Sequence, residues 1–312
     1  MENSYIDHRE YKSIPNAKVA FIGLGVMGAS MAGHLAKSGL SVTVFNRNTQ
    51  KSIAWVKSFK KYKVTYALSP NEASINADFV LSCVGKDDDL KDVTTGQNGS
   101  FEAMKKGSIF IDHTTTSADI AIKLSKIASN LNINFLDAPV SGGNLGAIRG
   151  QLSVMCGGEL SIYKKSKPII DLYSKGSSLI GKNGSGQLAK MVNQICIAGL
   201  IQGLAEGINF GQKAGLNMKK VLEIIEKGAA SSWQMQNRGS TMLDGKYDFG
   251  FAVDLMRKDL EIAFKKAEEL NAMLPVTKLV DTFYQELQYM GKGELDTTSL
   301  LARLKNQTKK QI

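Results

Sequence analysis

Apolar positions come first as short blocks and then, past the middle of the chain, as long stretches with helical spacing. Lys18–Ile22 is a five-residue run of strand type, followed at once by Gly23-Leu-Gly-Val-Met-Gly28. Met27, Met31 and Leu35 then recur every four residues, so one helix face is apolar until Ser38-Gly39 stops it. Ser41–Phe45 is the next strand. Strand, glycine loop, helix and strand fit within thirty residues, the size of a βαβ unit. The alternation continues with strands at 77–82, 107–112, 133–136 and 152–156, the last ended by Gly157-Gly158. Helical stretches lie between them, such as 117–130 with Ile120, Leu124 and Ile127 on one face. Strands alternating with helices imply a mostly parallel sheet covered on both faces.

Near Gly181-Lys-Asn-Gly-Ser-Gly186 the texture changes, and no convincing strand follows. Residues 187–214 predict a long, largely apolar helix of about 42 Å, interrupted by Lys190, Asn193, Gln194, Gln202 and Glu206. Those polar positions argue against a membrane span, and apolar character on most faces argues for burial between domains or subunits. Further helices are expected over 218–227, 255–271 and 275–290, with a short one after Asp296. The expected fold class is therefore α/β. Residues 1–180 form an N-terminal doubly wound sheet of the Rossmann type, and 181–312 an all-α domain for substrate and oligomer contacts.

The 312 residues are 43 % hydrophobic and 22 % charged, enough apolar material for a large core, with disorder expected only at the two ends. The leader Met1–Asn16 is polar, has no apolar segment of the signal-peptide type, and points to the cytoplasm. The three cysteines, Cys83, Cys156 and Cys196, lack paired or metal-like spacing and read as reduced thiols. No two of His8, His34 and His113 have metal-ligand spacing, so no metal is expected. The net charge of +10 is spread over scattered lysine doublets, from Lys60-Lys61 to Lys309-Lys310. A nucleic-acid module would instead show a dense run interleaved with aromatics, so nucleic acid is not an expected partner.

The glycine block carries the first chemistry. Placed between a strand and a helix, Gly23 turns the chain sharply, Gly25 lets the backbone approach a pyrophosphate, and Gly28 lets the helix pack on the strand. The helix N-terminus supplies unpaired N–H groups and positive dipole. The second strand ends in Asn46-Arg47-Asn48 with no carboxylate to hold a ribose 2′-hydroxyl. Asn46 can hydrogen-bond without repelling a 2′-phosphate and Arg47 can pair with one, so NADP is preferred, with NAD possible.

Four segments then resemble the β-hydroxyacid dehydrogenase family, in particular its 3-hydroxyisobutyrate dehydrogenase-like members. They are Gly23–Gly28 continuing into Met31-Ala32 and Leu35; Asp137-Ala-Pro-Val-Ser-Gly-Gly143 with Gly146-Ala147 and Gly150; Gly184-Ser-Gly-Gln-Leu-Ala-Lys190-Met-Val-Asn193; and Lys258-Asp-Leu-Glu-Ile-Ala263. They follow the family's order across almost the whole chain. The resemblance implies that Gly23, Leu24, Gly25, Val26, Met27 and Gly28 bind cofactor. It implies that Ser141, Gly142 and Gly143 cradle a substrate carboxylate, that Lys190 is catalytic, and that Asn193 positions substrate. Lys258 would reach the nicotinamide end of the cofactor, and Cys83, Val84, Asp88 and Thr115 would line the cofactor cleft at strand ends. Two departures stand out: Gln194 replaces a usual second Asn, and Asn46-Arg47 replaces the acid of NAD-using members.

On spacing alone, Lys190 is equally a snorkelling lysine or a proton donor, and the surrounding motif decides for catalysis. Asn193, at i+3, shares its face. An ammonium there would serve as acid in reduction and base in oxidation. The loop Ser141-Gly142-Gly143 leaves amides and a hydroxyl free to meet an anion. His113 ends a strand near the expected cleft; Trp233 and Arg238 would line the cleft or pack domains together. The expected substrate is a small carboxylate: 3-hydroxyisobutyrate, a hydroxypropionate, tartronate semialdehyde, L-serine, or glyoxylate or succinic semialdehyde in the reductive direction. An NADPH-dependent semialdehyde reductase is the alternative enzyme, and a non-catalytic basic scaffold that binds nucleic acid on the same fold is the alternative of another class. A phosphogluconate-type enzyme would need a longer chain. The central helix suggests a homodimer or homotetramer, with no membrane partner.

Overall fold

The computed structural model describes residues 5–7, 9–11 and 17–308, so His8, most of the leader and the Lys309-Lys310 doublet lie outside the described residues. The chain divides into two compact units, one running to Lys190 and the other from Met191.

The first unit opens with β1 (Lys18–Ile22), α1 (Gly28–Lys37), β2 (Ser41–Phe45), α2 (Thr49–Ser58) and β3 (Val64–Tyr66). It continues through α3 (Pro70–Ser74), β4 (Phe79–Ser82), α4 (Asp87–Thr95), α5 (Ser100–Ala103), β5 (Ile109–Asp112), α6 (Ala118–Asn130) and β6 (Asn134–Asp137). It ends with β7 (Val140–Ser141), α7 (Gly143–Ile148), β8 (Leu152–Gly157), α8 (Leu160–Ile170), β9 (Ser174–Gly181) and the start of α9 (Ser185–Lys213). Among the described residues these strands form one sheet of order β3-β2-β1-β4-β5-β6-β8-β7, with β9 paired to β8.

Strands β1 to β6 pair in parallel, as the alternation predicts. Strand β8, however, runs antiparallel to both β6 and β7, so the sheet is mixed at that end. Central strands β1, β4 and β5 are buried almost throughout because helices cover both faces, whereas β2 alternates and β3 at the edge is mostly exposed. One face packs Phe21, Met31, Leu35, Val42, Trp55 and Phe59. The other packs Ile22, Phe101, Phe110 and Phe135, with Phe110 and Phe135 stacked at 5.7 Å.

Three differences from the sequence pattern have physical reasons. Strand β9 is largely polar and exposed, because it pairs only with β8 and needs little apolar side chain. Ser141-Gly142-Gly143, expected in an anion-binding loop after a strand, instead spans the end of β7 and the start of α7, where antiparallel pairing with β8 holds Ser141 opposite Ser153. The leader, expected to be disordered, places Ile6 at 2 % exposure in the core beside α1. The few apolar residues of this polar stretch show no period to read.

The second unit continues α9 and adds α10 (Met218–Ile225), α11 (Trp233–Leu243), α12 (Val253–Glu269), α13 (Pro275–Tyr289), a 3-10 turn at Thr297–Ser299 and α14 (Leu300–Thr308). Helix α11, rich in Gln, Asn and Ser, was invisible to apolar spacing; Ser232 caps it by accepting from the Met235 amide. By length and mean hydropathy of 1.3, α9 could cross a membrane. Its Ala198, Ile201, Ala205 and Ile208 instead build this unit's core with Met256, Leu260, Tyr284 and Leu300. Arg303 fastens α14 to α13, donating to both Glu286 oxygens at 2.8 and 2.9 Å with its guanidinium 3.8 Å from the Phe283 ring centroid.

Candidate active site

The strand order reverses direction at β1, whose neighbours are β2 and β4, so a crevice opens above the carboxyl ends of β1 and β4. The glycine loop sits there. Gly23 has φ +96°, and a Cβ on it would meet the Cys83 carbonyl oxygen at 2.3 Å. A Cβ on Gly28 would meet the Gly23 carbonyl at 2.0 Å, so only glycine allows α1 to start so close to β1. Around Gly25 a Cβ would meet nothing within 4 Å: the loop faces open space. No side chain caps α1 and its first turn holds no acid, which leaves that N-terminus to an anion. The loop therefore fits the pyrophosphate of a dinucleotide.

Asn46 is tied to this loop. Its Oδ1 accepts from the Leu24 amide at 2.9 Å, and its Nδ2 donates to the Asn48 carbonyl at 3.1 Å. Arg47 is 92 % exposed at the side chain and stands 3.5 Å from Asp89. An exposed pair of that kind contributes little stability, so the guanidinium is available to a phosphate. Lys51, a cation outside every motif, sits in the first turn of α2 and lines a cavity of about 370 Å³ with Leu24, Gly25, Val26 and Trp55. A lysine after a helix start is too common to single out by spacing. Val26 is exposed and Met27 partly buried beside the loop.

At the neighbouring strand ends, Cys83 donates its amide to Ile22 and Val84 donates its amide to Thr114 Oγ1 at 3.1 Å. Thr115 is partly buried in the turn between β5 and α6. Asp88 is exposed, 3.4 Å from Lys86. Its neighbour Asp87 reaches inward and accepts from the Ser117 amide at 2.9 Å.

The second and third motifs meet at one carboxyl. Asp137, ending β6, accepts from the Gly184 amide at 2.8 Å and the Gln187 amide at 3.2 Å, and so caps α9. A Cβ on Gly157 or Gly186 would press on this carboxyl at 2.6 or 2.8 Å, which explains both glycines. Burial pushes Asp137 up to about 6 despite the amides that favour its ionised form. Gln187 adds a strap: its Oε1 accepts from the Thr116 amide at 3.1 Å and its Nε2 donates to the Thr114 carbonyl at 2.7 Å. Lys190 follows three residues on, buried at 7 % exposure. Neither Asp137 nor Gln187 stood out in the sequence as a holder of this helix, because their partners lie about fifty and seventy residues away.

Further along α9, within the second unit, Asn193 Nδ2 donates to Gln194 Oε1 at 2.7 Å. Gln194 is buried and donates to Asp259 Oδ2 at 2.7 Å, and Lys258 Nζ stands 3.1 Å from the other Asp259 oxygen. The departure at Gln194 thus gains a structural partner, with Asn193 at one end of the network and Lys258 at the other.

His113 is not a cleft residue. It is fully buried, with Nδ1 against the Ala138 carbonyl at 2.7 Å and Nε2 against the Tyr173 hydroxyl at 2.9 Å. Burial lowers its pKa to about 4, so it is neutral, with Nδ1–H donating to the carbonyl. Arg238 is buried in the second unit, its guanidinium 5.3 Å from the Trp233 ring centroid and 4.9 Å from that of Phe249. Among the described residues no cluster of His, Cys, Asp and Glu could hold a metal ion.

Residues 18–184 match the family model described as the NAD binding domain of 6-phosphogluconate dehydrogenase. Residues 184–304 match that described as NAD-binding of NADP-dependent 3-hydroxyisobutyrate dehydrogenase. An uncharacterised oxidoreductase of Shewanella frigidimarina is 54 % identical over 92 % of this chain and 98 % of its own. The probable 3-hydroxyisobutyrate dehydrogenase-like 1, mitochondrial, of Arabidopsis thaliana is 38 % identical over 93 % of this chain and 85 % of its own. The 3-hydroxyisobutyrate dehydrogenase of Mycobacterium tuberculosis, solved with L-serine, superposes with a TM-score of 0.82 at 25 % identity, covering 93 % of this chain and 99 % of its own.

Proposed function

The chain belongs to the β-hydroxyacid dehydrogenase family and is an NAD(P)-dependent oxidoreductase of β-hydroxy acids, and on that premise we propose that it interconverts a small β-hydroxy acid and its semialdehyde with Lys190 moving the proton. The observation that carries the proposal is the clamp on α9. Asp137 and Gln187 tie the start of this helix to the strand ends of the nucleotide-binding unit, one turn before Lys190. A catalytic amine needs this kind of fixed base.

The glycine loop would hold a nicotinamide dinucleotide, which would supply or accept the hydride. Lys190 then donates a proton to the carbonyl oxygen in reduction and takes it from the hydroxyl in oxidation. Ser141, Gly142 and Gly143 hold the substrate carboxylate, and Asn193, braced by Gln194, orients the hydroxyl-bearing carbon. Lys258, paired with Asp259, is the further residue that the family resemblance assigns to the cofactor.

Preference for NADP is part of the same proposal. The stretch after β2 offers no carboxylate, and Arg47 with Lys51 provides two cations beside the loop. A cytoplasmic homodimer or homotetramer completes it, supported by three cysteines that form no disulfide and by an exposed apolar face of α9.

The test is a panel of 3-hydroxyisobutyrate, L-serine, tartronate semialdehyde, succinic semialdehyde and glyoxylate, followed by absorbance with each cofactor separately. Lys190→Ala should lose about 10³-fold in kcat. It should still bind NADPH, as read by fluorescence titration. Near-normal kcat in that variant would remove Lys190 from the chemistry. Arg47→Ala should lower kcat/KM for NADPH about tenfold and leave NADH little changed.

A further inference from the structure

The family models begin at residue 18, yet residues 5–7 and 9–11 before it are built into the first unit. Arg9 Nη1 donates to the Gly150 and Leu172 carbonyls, the latter at 3.1 Å, while Nη2 donates to the Asp171 carbonyl at 3.1 Å and the Ser174 carbonyl at 3.4 Å. One guanidinium thus joins the end of α7, the end of α8 and the start of β9. The Asp7 amide donates to the Ile148 carbonyl at 3.0 Å. The Tyr11 hydroxyl reaches His34 Nδ1 at 2.5 Å, and His34 Nε2 lies 2.9 and 3.0 Å from the Ala147 and Ile148 carbonyls. Because a carbonyl can only accept, Nε2 carries the hydrogen and Nδ1 accepts from Tyr11. Burial depresses the His34 pKa to about 4, which keeps this neutral form across the working range.

These contacts converge on one short helix. Six residues of α7 cannot hold a helix alone, and a helix leaves its last four carbonyls without partners. Here His34 and the Asp7 amide supply donors for Ala147 and Ile148, the last two carbonyls of α7, and Arg9 supplies one for Gly150 just beyond it. Gly150 has φ +63°, and a Cβ on it would meet Arg9 Nη1 at 2.5 Å, so that corner is shaped around the guanidinium. The other end of α7 begins at Gly143, inside the Ser141-Gly142-Gly143 segment. Asn144 of α7 and Tyr5 of the leader also line the cavity beside Gly25 and Val26.

We propose that residues 5–7 and 9–11, through Asp7, Arg9 and Tyr11, act as a strap, with Arg9 as its positioning residue, that holds α7 and so sets the geometry of the substrate-carboxylate segment Ser141–Gly143. The role assigned to that segment rests on the proposed function, whereas the hold on α7 does not.

The test separates the two. Amide hydrogen exchange of the full-length protein reads the hold directly. In Arg9→Ala, the protection of Gly146, Arg149 and Gln151 should fall by at least about tenfold while β5 stays protected. Steady-state kinetics with 3-hydroxyisobutyrate should show KM raised about tenfold, kcat within about twofold, and NADPH affinity unchanged. Tyr11→Phe, which removes one hydroxyl, should act in the same direction to a smaller extent and serves if Arg9→Ala does not fold. Unchanged exchange in α7 overturns the strap, as does a loss of protection spread evenly over the sheet, the mark of general destabilisation. Loosened α7 with unchanged KM overturns its link to substrate. If the wild type turns over no acid or aldehyde of the panel, the proposed function falls and the exchange result still decides the hold.

Discussion

Asp112 lies fully buried at the end of β5, accepting from the Ser82 hydroxyl at 2.7 Å and the Thr114 amide at 3.1 Å. Burial pushes its carboxyl up to about 7, outweighing those donors. Because the folded value lies above the unfolded one of 3.8, the native state binds the extra proton between them. Stability from this group is therefore complete below about pH 4 and is lost as pH rises through 7, by roughly 4 kcal/mol at most. Asp112→Asn should flatten the fall in Tm between pH 4.5 and 8, read by calorimetry. An unchanged slope would assign it to other groups. Single positions also divide by what made them legible. Gly23 and Gly28 were readable because only glycine tolerates those backbone approaches, whereas Asp112 looked like any strand-ending acid.

Helix α9 is apolar enough to be read from spacing, but its fixed start was not. The cap on it comes from Asp137, and the strap from its own Gln187 to the segment after β5. Asp137→Asn keeps one acceptor and loses the charge. A lost cap of this kind costs about 1 kcal/mol of stability. With Lys190 one turn on, kcat should fall about tenfold while NADPH affinity holds, measured by kinetics and fluorescence titration. The wild type should lose activity as pH drops below about 6, where Asp137 takes up its proton, and the Asn variant should lack that limb. Full activity in the variant would make the cap purely structural.

In the whole protein, one face of α9 exposes Val192 at 62 % and Phe210 at 72 %, with Gly199, Gly203 and Gly207 between them open to close approach. A helix with its other side already in a core and this side bare suits a second copy of the chain. Phe210→Glu should reduce the mass measured by light scattering after gel filtration, leaving the fold intact by circular dichroism. An unchanged mass would remove this face from any interface, and a monomer mass in the wild type would remove the association.

The chain's own pattern determined the βαβ alternation, the dinucleotide loop, the helical second half and the family, because these depend on local periodicity and on glycines that nothing else can replace. Only the tertiary structure decided that β8 turns antiparallel, that Ser141 is strand and Gly143 helix, that Asp137 caps α9, and that Arg9 reaches three elements at once. Each of those depends on partners far apart in sequence, and a hydrogen bond across such a distance leaves no period to read.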